Sequence, residues 1–176
     1  MIGRYGARVQ YGARERYGPW ALVAGASDGI GASFASALAA RGLDVVLVAR
    51  RQAALEQLAA EIRAAHRVVV RTIVADLGTP AGLDTVLEST EDIGLLVCNA
   101  ASAPVAAFLE LSTAQIDAML DLNCRAAARL THALGNRMVA RGRGGVILLS
   151  SVAGNQGSAL VTHYAATKAY LRVLAE

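Results

Sequence analysis

Apolar residues along this chain fall in short runs separated by stretches with a different rhythm. The runs at 20–24, 44–49, 68–75, 93–98 and 145–150 are five to eight residues long. Between them apolar positions recur at helical spacing, as at Leu55, Leu58 and Ile62. This predicts helices from the glycines after residue 24 to about 41, at 51–65, near 80–89, at about 112–140 and from 161 to the end at 176. Runs that are apolar throughout belong to strands buried on both faces. Strand alternating with helix requires parallel pairing through crossovers, so the pattern predicts an α/β fold, a doubly wound parallel sheet. The final helix stops without a cap or glycine, and no run follows it to pair beside the fifth. The expectation is therefore a sheet lacking its C-terminal strands, and a 176-residue chain that is poorly soluble and inactive by itself.

Residues 1–18 do not share this rhythm. Tyr-Gly-Ala-Arg occurs at 5–8 and again at 11–14, and Tyr17-Gly18 begins a third copy. A segment this rich in glycine and polar groups buries little, and a flexible N-terminal extension is expected, with the domain at 19–176. The extension also explains the net charge of +3: Arg4, Arg8, Arg14 and Arg16 against Glu15 account for all of it. The body is neutral and has no basic stripe, so nucleic acid is not an expected partner. Charged residues are 18% and apolar residues 55% of the chain, yet no run approaches the length that spans a bilayer. A cytoplasmic protein without membrane contact is expected. Cys98, Cys124 and the three histidines have no ligand spacing, and no metal is expected.

The turn after the first run reads Gly25-Ala-Ser-Asp-Gly29-Ile-Gly31. A strand-to-helix turn that lets backbone approach a pyrophosphate needs residues without Cβ, and the helix start supplies free N–H groups. A dinucleotide site that prefers NAD places an acid about 20 residues on, for the ribose 2′-hydroxyl. Ala49-Arg50-Arg51 stands there instead. A guanidinium complements a 2′-phosphate, so NADP(H), with NAD less favoured, is the expected cofactor, mainly through Arg50.

Tyr164 and Lys168 lie four apart, on one face of the last predicted helix. A free phenol titrates near 10, and a neighbouring cation moves an acid down by about 1–3 units. Lys168 is the single lysine beside 16 arginines, and a compact ammonium is not interchangeable with a guanidinium. Ser151 stands thirteen residues before Tyr164, at the end of the fifth run, where ligands of doubly wound sheets bind.

In this order and spacing the motifs resemble those of the short-chain dehydrogenase/reductase family, over residues 19–176. The glycine turn is similar to that family's TGxxxGxG, with Ala24 at the threonine. The resemblance implies a Rossmann-like domain in which Gly25, Gly29 and Gly31 shape the turn, and Ser27 and the Ile30 backbone lie near the cofactor phosphates. Asp76 matches the aspartate that bonds the adenine amino group. Cys98-Asn99-Ala100-Ala101 is similar to the family's NNAG, with Ala101 replacing glycine, so the backbone there must manage without positive φ. Asn123, Ser151, Tyr164 and Lys168 match the catalytic tetrad, and the resemblance implies that Tyr164 and Lys168 also touch the cofactor. What this implies is hydride exchange between NADP(H) and a carbonyl/alcohol pair, with Tyr164 as general acid/base and Ser151 bonding the same oxygen. Lys168 would lower the tyrosine pKa and bond the nicotinamide ribose, and Asn123 would hold a water that passes protons through Lys168. A homodimer or homotetramer is implied, through the helix at 112–140 and the terminal helix. The alternative is a family member that binds cofactor without turnover. The loop at 102–108, with Ala103, Pro104, Val105 and Phe108, points to a hydrophobic carbonyl compound.

Overall fold

A computed structural model describes residues 12–176. Five strands form one parallel sheet: β1 (Trp20–Ala24), β2 (Asp44–Ala49), β3 (Val70–Val74), β4 (Ile93–Cys98) and β5 (Gly145–Leu148), in the order β3-β2-β1-β4-β5. Along each central strand the side chains alternate between two cores, as a period of two requires. Ala21, Val23, Val45, Leu47, Leu95 and Val97 face helices α2 (Gly29–Ala40) and α3 (Gln52–Ala65). Leu22, Val46, Val48, Leu96 and Cys98 face α4 (Pro80–Glu88), α6 (Ala126–Ala140) and α7 (Thr162–Leu174). A sheet covered on both faces by its own crossover helices is the doubly wound, Rossmann-like architecture. The edge strands are half open: β3 presents Arg71 and Thr72 to solvent, and β5 presents Val146.

Two parts of the chain depart from the expected outline. Residues 1–11 of the expected extension lie outside the described residues. Residues 12–18, grouped with them by composition, carry the short helix α1 (Ala13–Tyr17) packed on the amino ends of the strands. Arg14 pairs with the buried Asp44 at 3.1 Å and donates to the Gly42 carbonyl. Gly94 and Gly145 leave room for Tyr17, whose carbonyl and ring occupy the places their side chains would take.

The second departure is the helix expected at 112–140, which is interrupted. α5 (Thr113–Leu120) runs into a π turn, Asp121–Arg125, before α6 begins. A π turn inserts a residue into the helical ladder and re-aims the side chains on it. Here it turns Asn123 into the protein instead of along a solvated helix face.

Candidate active site

The strand order reverses between β1 and β4, and a crevice opens beyond their carboxyl ends, where open α/β sheets bind ligands. It holds about 380 Å³, within the range of small-molecule sites. Gly25, Ser27, Arg50, Asp76, Asn99 and Ala100 line it, joined by Asp28, Arg51, Ala101 and Leu122. The turn is close-packed from inside. Asn99 Nδ2 donates to the Gly25 carbonyl at 2.8 Å, and a Cβ on Gly25 would lie 2.6 Å from the Ala100 nitrogen. A Cβ on Gly31 would lie 2.0 Å from the Gly25 oxygen and 2.7 Å from Asn99 Nδ2. Gly25 and Gly29 have positive φ, +84° and +53°. Asn99, Ala100 and Ala101 do not, so the β4 turn is built without the family's glycine.

Asp28 occupies the N-cap of α2 but accepts no bond from the first turn. Its carboxylate instead meets Arg51 Nη2 at 3.0 Å, and the same guanidinium donates to Ser27 Oγ at 3.2 Å. The N–H groups of Gly29, Ile30 and Gly31 therefore lack an acceptor among the described residues, and this positive dipole end directly follows Ser27 and Asp28 of the crevice wall. Arg50 reaches the other way, 3.8 Å from Asp76, while the second Asp76 oxygen accepts from the Gly78 amide. Both ion pairs are solvent-exposed, and such pairs contribute little, so each guanidinium can be released to an anion at small cost. The glycine cradle, the free N–H groups and the two arginines fit a dinucleotide's phosphates. Arg51 carries more of this arrangement than the sequence indicates: as the N-cap of α3 its side chain is thrown back over the glycine turn.

A second cluster stands at the carboxyl ends of β4 and β5. α7 presents Tyr164 and Lys168 on its inner side, and the Lys168 Nζ lies 5.6 Å from the Tyr164 ring centroid. Lys168 is 3% exposed and donates to the Leu149 carbonyl at 2.6 Å. Ser150 Oγ donates to the Lys168 carbonyl at 2.7 Å, and Gly154 lies directly against the Lys168–Ala169 backbone. The turn led by Ser151, whose Oγ accepts from the Ala153 amide, is thereby pressed onto α7.

The residues 19–176 match the model of the short chain dehydrogenase family. The chain belongs to that family. Within it, the chain is 33% identical over 165 residues to a 7beta-hydroxysteroid dehydrogenase of Clostridium sardiniense, covering 93% of this chain and 63% of that protein. A solved short-chain dehydrogenase from Sphingobium yanoikuyae in complex with NADPH superposes with a TM-score of 0.85 at 38% identity, covering 89% of this chain and 63% of that one. The human inactive hydroxysteroid dehydrogenase-like protein 1 is 33% identical over 178 residues, covering 97% of this chain and 53% of that protein. The chain thus spans about three fifths of the length of the Clostridium relative. Among the described residues, no helix is long and apolar enough to cross a membrane.

Asn123 is 1% exposed. Its Oδ1 accepts from the Ser102 amide at 2.8 Å, and its Nδ2 donates to the Ser102 carbonyl at 2.9 Å and to Thr167 Oγ1 at 3.0 Å. Thr167 was not singled out by the sequence, although a threonine three residues after the tyrosine, on the same helix face, was a readable signal. The cysteines are quiet: burial pushes the Cys98 thiol up to about 12, and burial also raises Cys124.

Burial holds the Lys168 ammonium below its usual 10.5. Between the folded value and 10.5 the unfolded chain binds more protons than the folded one, so this group makes stability rise with pH through that window. The cost of burying the charge is complete below the window. Lys168→Met keeps the stem and drops both the charge and the bond to the Leu149 carbonyl, so the pH-dependent part is the readable one: the Tm of the variant minus that of the parent is expected to fall as pH rises through that window. Thermal melts of both proteins across pH check this, and a difference that stays flat or rises contradicts it.

Proposed function

We propose that this short-chain dehydrogenase reduces a carbonyl compound, or oxidises the corresponding alcohol, with NADP(H) as cofactor and Tyr164 as general acid/base. The observation that carries the reading is the buried Lys168 ammonium held beside the Tyr164 ring, at the strand ends that also bear Ser151. NADP(H), when bound, supplies or accepts the hydride. Tyr164 gives the proton to the carbonyl oxygen as charge develops there, and takes it back in the oxidative direction. Ser151 donates a hydrogen bond to the same oxygen. Lys168 stabilises negative charge on the phenolic oxygen, and its remaining N–H groups serve the nicotinamide ribose. The Asn123 amide is occupied by Ser102 and Thr167. Both N–H groups of that side chain are thereby taken and cannot hold a water that passes protons toward Lys168.

The substrate is a hydrophobic carbonyl compound. The segments 101–109 and 152–161 lead out of β4 and toward α7, and the Ala106 amide donates to the Leu160 carbonyl at 3.0 Å, tying them together. Neither contains a charged residue. Both expose bulky apolar side chains, Leu109 at 94% and Val152 at 82%.

NADP(H) preference rests on Arg50 and Arg51 beside the glycine turn, with no acid at 49–51. Arg50→Asp places a carboxylate where the 2′-phosphate would sit. It is expected to weaken NADPH binding by at least about tenfold, the loss of a charge-assisted bond, while NADH binding holds or improves. Titration of both cofactors into both proteins reads this, and a parent that binds NADH as tightly as NADPH overturns the preference.

A further inference from the structure

We propose that Thr167 is a positioning residue of this site: its hydroxyl joins Asn123 to α7 and sets how the loop leaving β4 stands against the Tyr164–Lys168 pair. The proposal rests on the oxidoreductase reading of that pair. Thr167 is 1% exposed and lies three residues after Tyr164 and one before Lys168. Its Oγ1 donates to the Tyr164 carbonyl at 2.7 Å, which orients its lone pairs toward the Asn123 amide at 3.0 Å. The amide's other two bonds go to the backbone of Ser102, three residues beyond Asn99 in the cofactor crevice. One buried chain of hydrogen bonds therefore runs from the crevice wall, through the π turn, into the helix that carries the reacting groups.

The arrangement is specific to a hydroxyl. Both Asn123 N–H groups are used, and its single carbonyl oxygen is engaged, so removing Oγ1 leaves a buried donor with no acceptor. A buried polar network holds its members in one geometry only while each is satisfied. The π turn is what makes the contact possible, since Asn123 lies within it. α7 is also held by Ser150, through the Lys168 carbonyl. The helix is thus fastened at two adjacent residues, Thr167 and Lys168.

The test compares Thr167→Val, which keeps the shape and drops the hydroxyl, with Thr167→Ser, which keeps the hydroxyl. Ser102 amide exchange, NADPH affinity, kcat and KM are measured on a complete version of the protein, of the length of its relatives. Thr167→Val is expected to speed exchange of the Ser102 amide and to lower kcat about 10- to 100-fold, as displacements near 1 Å do, with NADPH affinity unchanged. Thr167→Ser should keep both near the parent. If Thr167→Val does not fold, Thr167→Ala carries the same expectation. Parent-like Ser102 exchange and kcat in the valine or alanine variant overturns the proposal, as does a serine variant that loses as much as valine. Failure of the oxidoreductase reading shows separately, as turnover retained by Tyr164→Phe, and the Ser102 exchange still reports on Thr167.

Discussion

Tyr164→Phe is expected to lower turnover by about 10²- to 10⁴-fold, the range that a positioned proton donor contributes. NADPH affinity should stay within about twofold, because the residue does not line the cofactor crevice. The ring remains to pack, and only the oxygen is lost. The backbone of α7 is untouched, since Thr167 bonds the Tyr164 carbonyl and not its phenol. Steady-state rates with a neutral aromatic ketone, alongside cofactor titration, separate the two effects. Near-parental turnover by the phenylalanine variant would remove Tyr164 from its role.

Gly31→Ala is the second change with a large expected effect, and it acts on binding. The new Cβ would stand 2.0 Å from the Gly25 oxygen, a backbone atom that also accepts the Asn99 bond. Gly25 cannot retreat, because its N–H is bonded to Val48 and its Cα lies against Ala100. A forced shift of this kind costs about 3–5 kcal/mol and moves the start of α2 away from the phosphates. NADPH affinity should fall by about 100-fold or more, and Tm by several degrees. Gly29→Ala supplies the contrast in stability: its Cβ would meet no protein atom within 4 Å, and within the protein only the φ of +53° opposes it, a cost of about 1 kcal/mol. Equal losses of Tm in the two variants would contradict this account of the turn.

The central strands were legible to the residue. β1, β2 and β4 coincide with the apolar runs because burial on both faces makes them almost wholly apolar, the paired Asp44 at the start of β2 being the exception. The edge strands were not. β3 begins at Val70 where the run begins at 68, and β5 ends at Leu148 where the run continues to 150, because a strand paired on one side stops where its neighbour stops bonding. The π turn was invisible, since nothing in the apolar rhythm of 112–140 breaks there. Asn123 is buried by partners 21 and 44 positions away, Ser102 and Thr167, which local spacing does not register. Arg50 was read as the main partner of the cofactor, yet Arg51 covers the glycine turn; which of the two does so depends on where α3 begins, a boundary that the pattern places only within a residue or two. The docking of 12–18 escaped notice for a similar reason: it depends on Gly94 and Gly145 leaving space for Tyr17.

The reading of this chain as a hydride-transfer enzyme using NADP(H) is tested most directly by following the hydride itself. A complete version of the protein, of the length of its relatives, is mixed with NADPH carrying deuterium at the transferable ring position and with a neutral, bulky aromatic ketone, and the product alcohol is analysed by mass and proton resonance. The account predicts one deuterium per product molecule, on the carbinol carbon, and no labelled product from Tyr164→Phe on the same timescale. Tight NADPH binding with no labelled alcohol from any ketone tried would contradict it, and would leave a cofactor-binding protein without turnover.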